Sequence, residues 1–231
     1  LVPAWILPLF YRFTPLVDAL LAARLLTLAR RAGVRALGVW VADQSRKSRT
    51  ANAALVGLGR TRRIILFDTL LREFTADEIE SVLAHELGHH VHRDMARGLV
   101  AQGILTLVTF WIADRLIAAG VPRLGLDGPA DPAGVPWVAL VLTVLGLVAA
   151  PLANAFSRRL ERQADDFALA ATNNTGAFVG ALERLGRLNL AERRPHPIKE
   201  FLLHSHPSLE HRIERAQRSH TPLQQATHGP S

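Results

Sequence analysis

Residues 81–91 read S-V-L-A-H-E-L-G-H-H-V and place His85, Glu86 and His89 in the order H-E-x-x-H. On a helix, side chains four apart stand above one another on one face. His85 and His89 can therefore offer two imidazoles to a single metal ion. Glu86 lies one step round from His85, within reach of a water on that metal. This is the pattern of a zinc-protease helix. The expected chemistry is hydrolysis of a peptide bond. Zinc lowers the pKa of a bound water to about 7, and Glu86 takes its proton and later protonates the leaving amine.

A catalytic zinc needs three protein ligands and one open position. The chain has no cysteine, so the third ligand must be His, Glu or Asp. His92 stands three residues after His89, but one helix wraps a third ligand round a tetrahedral ion with difficulty. Glu161 and Asp165 are the other candidates. They are four apart on a second helical stretch, so one can bind zinc while the other bonds to an imidazole N–H or orients the site. A donor for the developing oxyanion is also needed; His204, His206, His211 and Arg212 are the late-chain choices.

The surrounding pattern shows what holds this helix. Thr75 and Glu78, in T-A-D-E, form a capping box at its start. Val82, Leu83 and Leu87 give it an apolar side. Upstream, Thr14-Pro15 reads as the start of a helix with a stripe of Leu16, Val17, Leu20, Leu21, Leu25 and Leu28, stopped by Gly33. Residues 37–42, 52–58 and 63–67 read as three short strands, which together suggest a small, mostly antiparallel sheet ahead of the catalytic helix. Later helices are expected over 177–188 and 207–217.

Composition sets the environment. Apolar residues make up 49% of 231, and net charge is +7, carried mostly by Arg. No basic run is interleaved with aromatics, so a nucleic-acid partner is not expected. Residues 99–119 and 137–156 are each long and apolar enough to cross a bilayer core of about 30 Å. They make a hairpin, and the second span is expected to continue as a helix to about Ala171. Arg93, Arg97, Arg158, Arg159 and Arg162 flank the outer ends, whereas the connecting loop holds Arg123, Asp127 and Asp131. By the positive-inside rule the Arg-rich side, with the catalytic helix, is cytoplasmic. The opening run L-V-P-A-W-I-L-P-L-F is too short to span and reads as the tail of a longer membrane segment. Residues 219–231 read as a disordered tail.

Several ordered motifs carry a resemblance. They are F-T-P-L at 13–16, S-R-K-S-R-T-A-N-A at 45–53, and G-L-G-R-T-R-R-I-I-L-F-D-T-L-L at 57–71. They continue with L-A-H-E-L-G-H-H at 83–90, N-A-F-S-R-R-L-E-R-Q-A-D at 154–165, and H-P-S-L-E-H-R-I at 206–213. The chain resembles the type I CAAX prenyl endopeptidases, integral-membrane zinc metalloproteases, with the heat-shock membrane protease branch as a close relative. H-R-D-M at 92–95 is reminiscent of that branch. The resemblance implies one zinc ion per chain, with Glu161 as third ligand and Asp165 its helix-mate near the site. It implies that His206 faces the zinc as a transition-state donor, with Arg212 nearby. It also implies that Asn52 and Ala53 begin an edge strand which, with Val56 and Gly57, pairs with an extended peptide substrate.

The expectation is thus a mainly α-helical fold: a membrane hairpin plus zincin-like catalytic helices and a small antiparallel sheet, in one peptidase domain over 1–231. The expected setting is a bacterial plasma membrane. Expected functions are CAAX-type C-terminal processing, quality control of membrane proteins, or, without catalysis, a membrane scaffold that keeps zinc for structure.

Overall fold

The computed structural model of this chain describes residues 11–48, 50–57, 59–190 and 192–220. The opening apolar run and residues 221–231 lie outside them. The described chain divides into two compact units. One contains residues up to 94 together with 160–195 and those from 207 onward; the other contains 95–159 and 196–206.

The first unit holds a four-stranded sheet in the order β1-β2-β4-β3, with β1 Phe13–Pro15, β2 Val39–Ala42, β3 Ala53–Val56 and β4 Arg63–Phe67. Its outer pairings, β1 with β2 and β3 with β4, are antiparallel as expected. The central pairing of β2 with β4 is parallel. The reason is the apolar run of β4, whose Ile64, Ile65 and Leu66 are all buried. A strand covered on both faces belongs inside a sheet, so β4 inserts between β2 and the half-buried β3 and leaves β3 at the edge.

The helical start expected at Thr14-Pro15 is instead strand β1, where Thr14 pairs with Val41 and Pro15 with Trp40. Proline lacks an N–H, which an edge strand tolerates. Helix α1, Ala19–Arg31, begins four residues later, capped by the Asp18 carboxylate on the Leu21 N–H at 2.9 Å. Its buried stripe is narrower than expected. Leu21, Leu25, Leu28 and Ala29 are in the core, while Val17 and Leu20 are 95% and 82% exposed.

Helices α2 (Asp68–Glu73) and α3 (Ala76–Val91) follow the sheet. The capping box of α3 is present in both directions: Glu78 N–H donates to Thr75 Oγ1, and Thr75 N–H to Glu78 Oε2. Glu78 is buried and also accepts from Arg184 Nε at 3.1 Å. Arg184 lies on α6, Thr175–Leu188, so the start of α3 is tied to a second helix. The last described helix of this unit is α8, Leu209–His220, and it overruns the first two residues of the expected tail. Val82, Leu83 and Leu87 of α3 join β4, Leu25, Phe178 and Ile213 in one core.

The second unit is built on two long helices, α4 (Asp94–Arg123) and α5 (Val135–Thr172). Both contain windows long and apolar enough to cross a membrane, and only 11% of each window is buried. A water-soluble core helix would be mostly covered; these faces need lipid. The helices pack on each other where Trp137 Nε1 donates to the Leu116 carbonyl at 3.2 Å. Gly120 makes room there, since a Cβ on it would meet the Trp137 indole. As expected, α5 continues unbroken beyond the apolar span to Thr172, and its residues from Leu160 onward belong to the first unit. The short helix α7, Pro197–Leu203, completes the second unit.

Within the first unit α3 and the end of α5 touch at Gly88. A Cβ there would stand 3.0 Å from Ala164 Cα and 3.2 Å from Ala164 O. Backbone offers no flexible end to give way. Gly88→Ala is therefore expected to destabilise the protein by about 1–3 kcal/mol, read by thermal unfolding in detergent. Gly98→Ala, whose added methyl would meet nothing, should not. Equal behaviour of the two variants would contradict the close approach.

Candidate metal centre

His85 and His89 lie on the face of α3 turned toward α5, and Glu161 lies one turn before Asp165 on α5. Ligand atoms of three side chains converge. His85 Nε2 and His89 Nε2 are 3.1 Å apart. Glu161 Oε2 is 3.5 Å from the former, and Oε1 is 3.5 Å from the latter. Ligands on a tetrahedral zinc at ordinary bond lengths stand about 3.3–3.5 Å apart. The three side chains therefore suit one zinc ion, the two imidazoles standing slightly closer than such ligands would, with two imidazoles and one carboxylate as the donor set. Glu161 is buried and the histidines are half-buried.

The far side of each imidazole gives the same answer. His89 Nδ1 is 2.8 Å from Asp94 Oδ2, and His85 Nδ1 is 2.9 Å from Asp165 Oδ1, off the ideal hydrogen-bond axis but in close charge contact. A carboxylate beside Nδ1 keeps the proton there and leaves the Nε2 lone pair for metal. Asp165 is itself held by Arg212 on α8. Arg212 Nε donates to Oδ2 at 2.9 Å and Nη2 to Oδ1 at 2.6 Å, a bidentate pair. Position thus passes from α8 to α5 to the His85 ring.

Electrostatics follow from burial and these contacts. Burial alone would lower the His85 pKa, but the Asp165 and Glu161 carboxylates outweigh it and raise it to about 9 in the metal-free protein. Asp165 is the converse case. Burial would raise it, yet His85 and Arg212 hold it below the ordinary carboxylate range. Burial pushes the Glu86 carboxyl upward, against the pull of His85 and His89, with Glu161 adding to the rise.

Of the candidates for third ligand, Glu161 is in the cluster, and Asp165 and His92 are not. The His92 ring meets Phe167 edge-on, with centroids 6.0 Å apart. Asn52, Ala53, Val56 and Gly57 lie on or beside β3, which among the described residues has a strand partner on one side only. Phe67 N–H donates to the Asn52 carbonyl at 3.0 Å, which sets the alternation of the ladder. Backbone groups of Asn52, Ala54 and Val56 face β4, and those of Ala53 and Leu55 face the free edge. The Ala53 N–H is met there by Asn52 Oδ1 at 2.8 Å. Gly57, at φ +104°, ends the strand where a Cβ would strike the Thr61 carbonyl. His206 is exposed in the segment between α7 and α8 and is counted with the second unit.

Asp94 was not among the residues picked out by spacing. Its signal was the acidic residue five places after His89, in H-R-D-M. The helix pattern hides it, because α3 ends at Val91 with His92 as its cap, and Arg93 turns the chain through a left-handed φ of 56°. That turn points Asp94 back at the helix it follows.

Comparison with known proteins agrees with this site. The sequence model described as Peptidase family M48 matches residues 15–220. The chain is 32% identical over 220 residues to a Bacillus subtilis (strain 168) protein described as uncharacterized metalloprotease YhfN, covering 94% of this chain and 52% of that one. It is 33% identical over 220 residues to the CAAX prenyl protease 1 homolog of Dictyostelium discoideum, covering 91% and 50%. It is 32% identical over 209 residues to protease HtpX of Pseudomonas putida (strain W619), covering 83% and 68%. The crystal structure of S. mikatae Ste24p superposes with a TM-score of 0.77 at 30% identity, over 94% of this chain and 54% of that one. The chain therefore spans about half the length of three of these four proteins.

Two outcomes are expected of the centre. Glu161→Ala should lose bound zinc by elemental analysis; an unchanged zinc content would put the third ligand elsewhere. Zinc needs the neutral His85 ring, whose metal-free pKa is about 9. Below that pH a proton must leave first, so zinc affinity should rise about tenfold per pH unit between roughly pH 7 and 8. Calorimetry in two buffers of different ionisation enthalpy should then show about one proton released per zinc. Zinc binding without proton release would contradict the charge state of His85.

Proposed function

Because this chain belongs to peptidase family M48, we propose that it is a zinc-dependent endopeptidase embedded in a membrane. The observation that carries the reading is the convergence of His85, His89 and Glu161 on one point, with both histidines only partly buried. Zinc held there supplies a Lewis acid for the substrate carbonyl and lowers the pKa of water at the site to about 7. Glu86, next to His85 on α3, accepts the proton of the attacking water and delivers it to the departing amine. Its upward-shifted carboxyl pKa suits an acid–base group that must both take and return a proton. Asp165 and Asp94 hold the two imidazoles in the ligating tautomer, and Arg212 fixes Asp165. The assignment of His206 as donor to the oxyanion rests on the resemblance of its His-Pro motif alone.

An extended substrate segment is held on the free edge of β3. Leu55 N–H and the Ala53 and Leu55 carbonyls are the groups that would pair with it. Pairing through backbone accepts many sequences, which suits an endopeptidase with broad choice. The Arg-rich ends of α4 and α5 support a cytoplasmic position for the catalytic helix, which for a bacterial chain would be the inner face of the plasma membrane.

Two substrate classes follow from the relatives. The resemblance to proteins named as CAAX prenyl proteases favours C-terminal processing of a lipid-modified peptide. The similarity to protease HtpX, together with H-R-D-M at 92–95, favours cleavage of membrane proteins. A farnesylated CAAX peptide and an unmodified membrane-protein fragment, tested side by side with and without chelator, separate them.

Glu86→Gln should keep zinc and lose turnover of whichever substrate is cleaved by at least about 10²-fold. Turnover near the parent rate in that variant would sink the mechanism. A zinc-loaded parent chain that cleaves neither substrate would favour a non-catalytic scaffold.

A further inference from the structure

Helix α7 carries a face that the catalytic reading does not use. Glu200 is buried against its own unit, and the opposite side presents Ile198, Phe201 and Leu202 at spacings of three and four. Ile198 is 62% exposed, Phe201 55%, and Leu203 beside them 72%. Four large apolar side chains on seven residues are too many for a helix bathed in water.

Its attachment tells at what depth it sits. The Arg158 guanidinium donates to three carbonyls at the end of α7: Glu200 at 3.2 Å, Phe201 at 3.3 Å and His204 at 2.7 Å. Asn154 Nδ2 donates to the Leu202 carbonyl at 2.7 Å. A cation on the carbonyls of a helix end is favourable both for hydrogen bonding and for the helix dipole. Asn154 and Arg158 both lie on α5. Asn154 lies near the end of the uncharged run, and Arg158 is the first charged residue after it. That is where the span leaves the hydrocarbon.

We propose that α7 is an interfacial helix, whose Ile198, Phe201, Leu202 and Leu203 enter the bilayer at the boundary of headgroups and acyl chains. The lipid surface is the occupant because α7 is fixed to the membrane-spanning helix at the depth of that boundary. The apolar span of that same α5 also exposes Leu147, Val148 and Leu152. Arg158 and Arg159 lie at the same level, as anionic headgroups would favour. The segment carrying His206 begins three residues after α7, so the bilayer surface would set its height. This rests on the membrane reading of α4 and α5.

The absence of cysteine makes the test clean, since each label needs one substitution. Single spin labels are placed at Ile198→Cys, Phe201→Cys, Leu107→Cys as lipid reference and Arg72→Cys as water reference. The protein is reconstituted in nanodiscs of phosphatidylcholine and phosphatidylglycerol. Collision with oxygen, which partitions into lipid, is compared with collision with a water-soluble nickel chelate. Labels at 198 and 201 should favour oxygen over nickel several-fold relative to 72, though less than 107 does. Water-like values at 198 and 201 beside a lipid-like 107 would overturn the proposal and leave the membrane reading intact. A water-like 107 would overturn both. Spin–spin broadening at 201 would mean that a second copy covers the face, which also overturns it.

Discussion

The whole site depends on how closely two helices approach. Two of the three candidate zinc ligands and the proposed acid–base carboxylate sit on α3, and the third candidate ligand sits on α5. The contact between them is glycine on alanine backbone, Gly88 on Ala164, with Ala164 fully buried. Any larger side chain at that crossing would push Glu161 outward by a few tenths of an ångström or more. Metal ligands tolerate little of that, because bond lengths are fixed within about 0.2 Å. The motif glycine therefore serves the geometry of the second helix more than its own.

The rest of the first unit holds that crossing. The start of α3 is closed by its capping box and by Arg184 from α6. Its end is closed by Asp94, which sits after the left-handed turn at Arg93 and meets His89. The end of α5 is fixed by the Arg212–Asp165 pair from α8. Removing one member of a buried charged pair leaves the other unpaired, which costs far more than an exposed ion pair would. These contacts involve elements distant in sequence, so the site forms only once the unit has folded.

Much of this could be read from residue pattern, and the limits have physical reasons. The start of α3, the extent of β4 and the continuation of α5 past the membrane span were all legible. Each depends on local signals: a capping box, an apolar run, the absence of a helix breaker. The third ligand was not settled by spacing, since His92 and Glu161 both had suitable chemistry. Only the packing of α5 on α3 decides which reaches the metal, and naming Glu161 needed the family resemblance. Thr14-Pro15 misled because proline suits both a first helical turn and an edge strand. The parallel pairing of β2 with β4 was hidden because β3 lies between them in sequence but outside them in the sheet. Asp94 was missed because periodicity stops at a helix end, and the residue acts from beyond it.

The most direct measurement of the central claim is X-ray absorption at the zinc K-edge on the metal-loaded chain. The account requires four light-atom scatterers at about 2.0–2.2 Å, with outer-shell scattering from two imidazoles and no more. The remaining distances would belong to the Glu161 carboxylate and a water oxygen. Outer-shell scattering from three or four imidazoles would contradict it, because the site would then be closed by further histidines and would have no place for substrate.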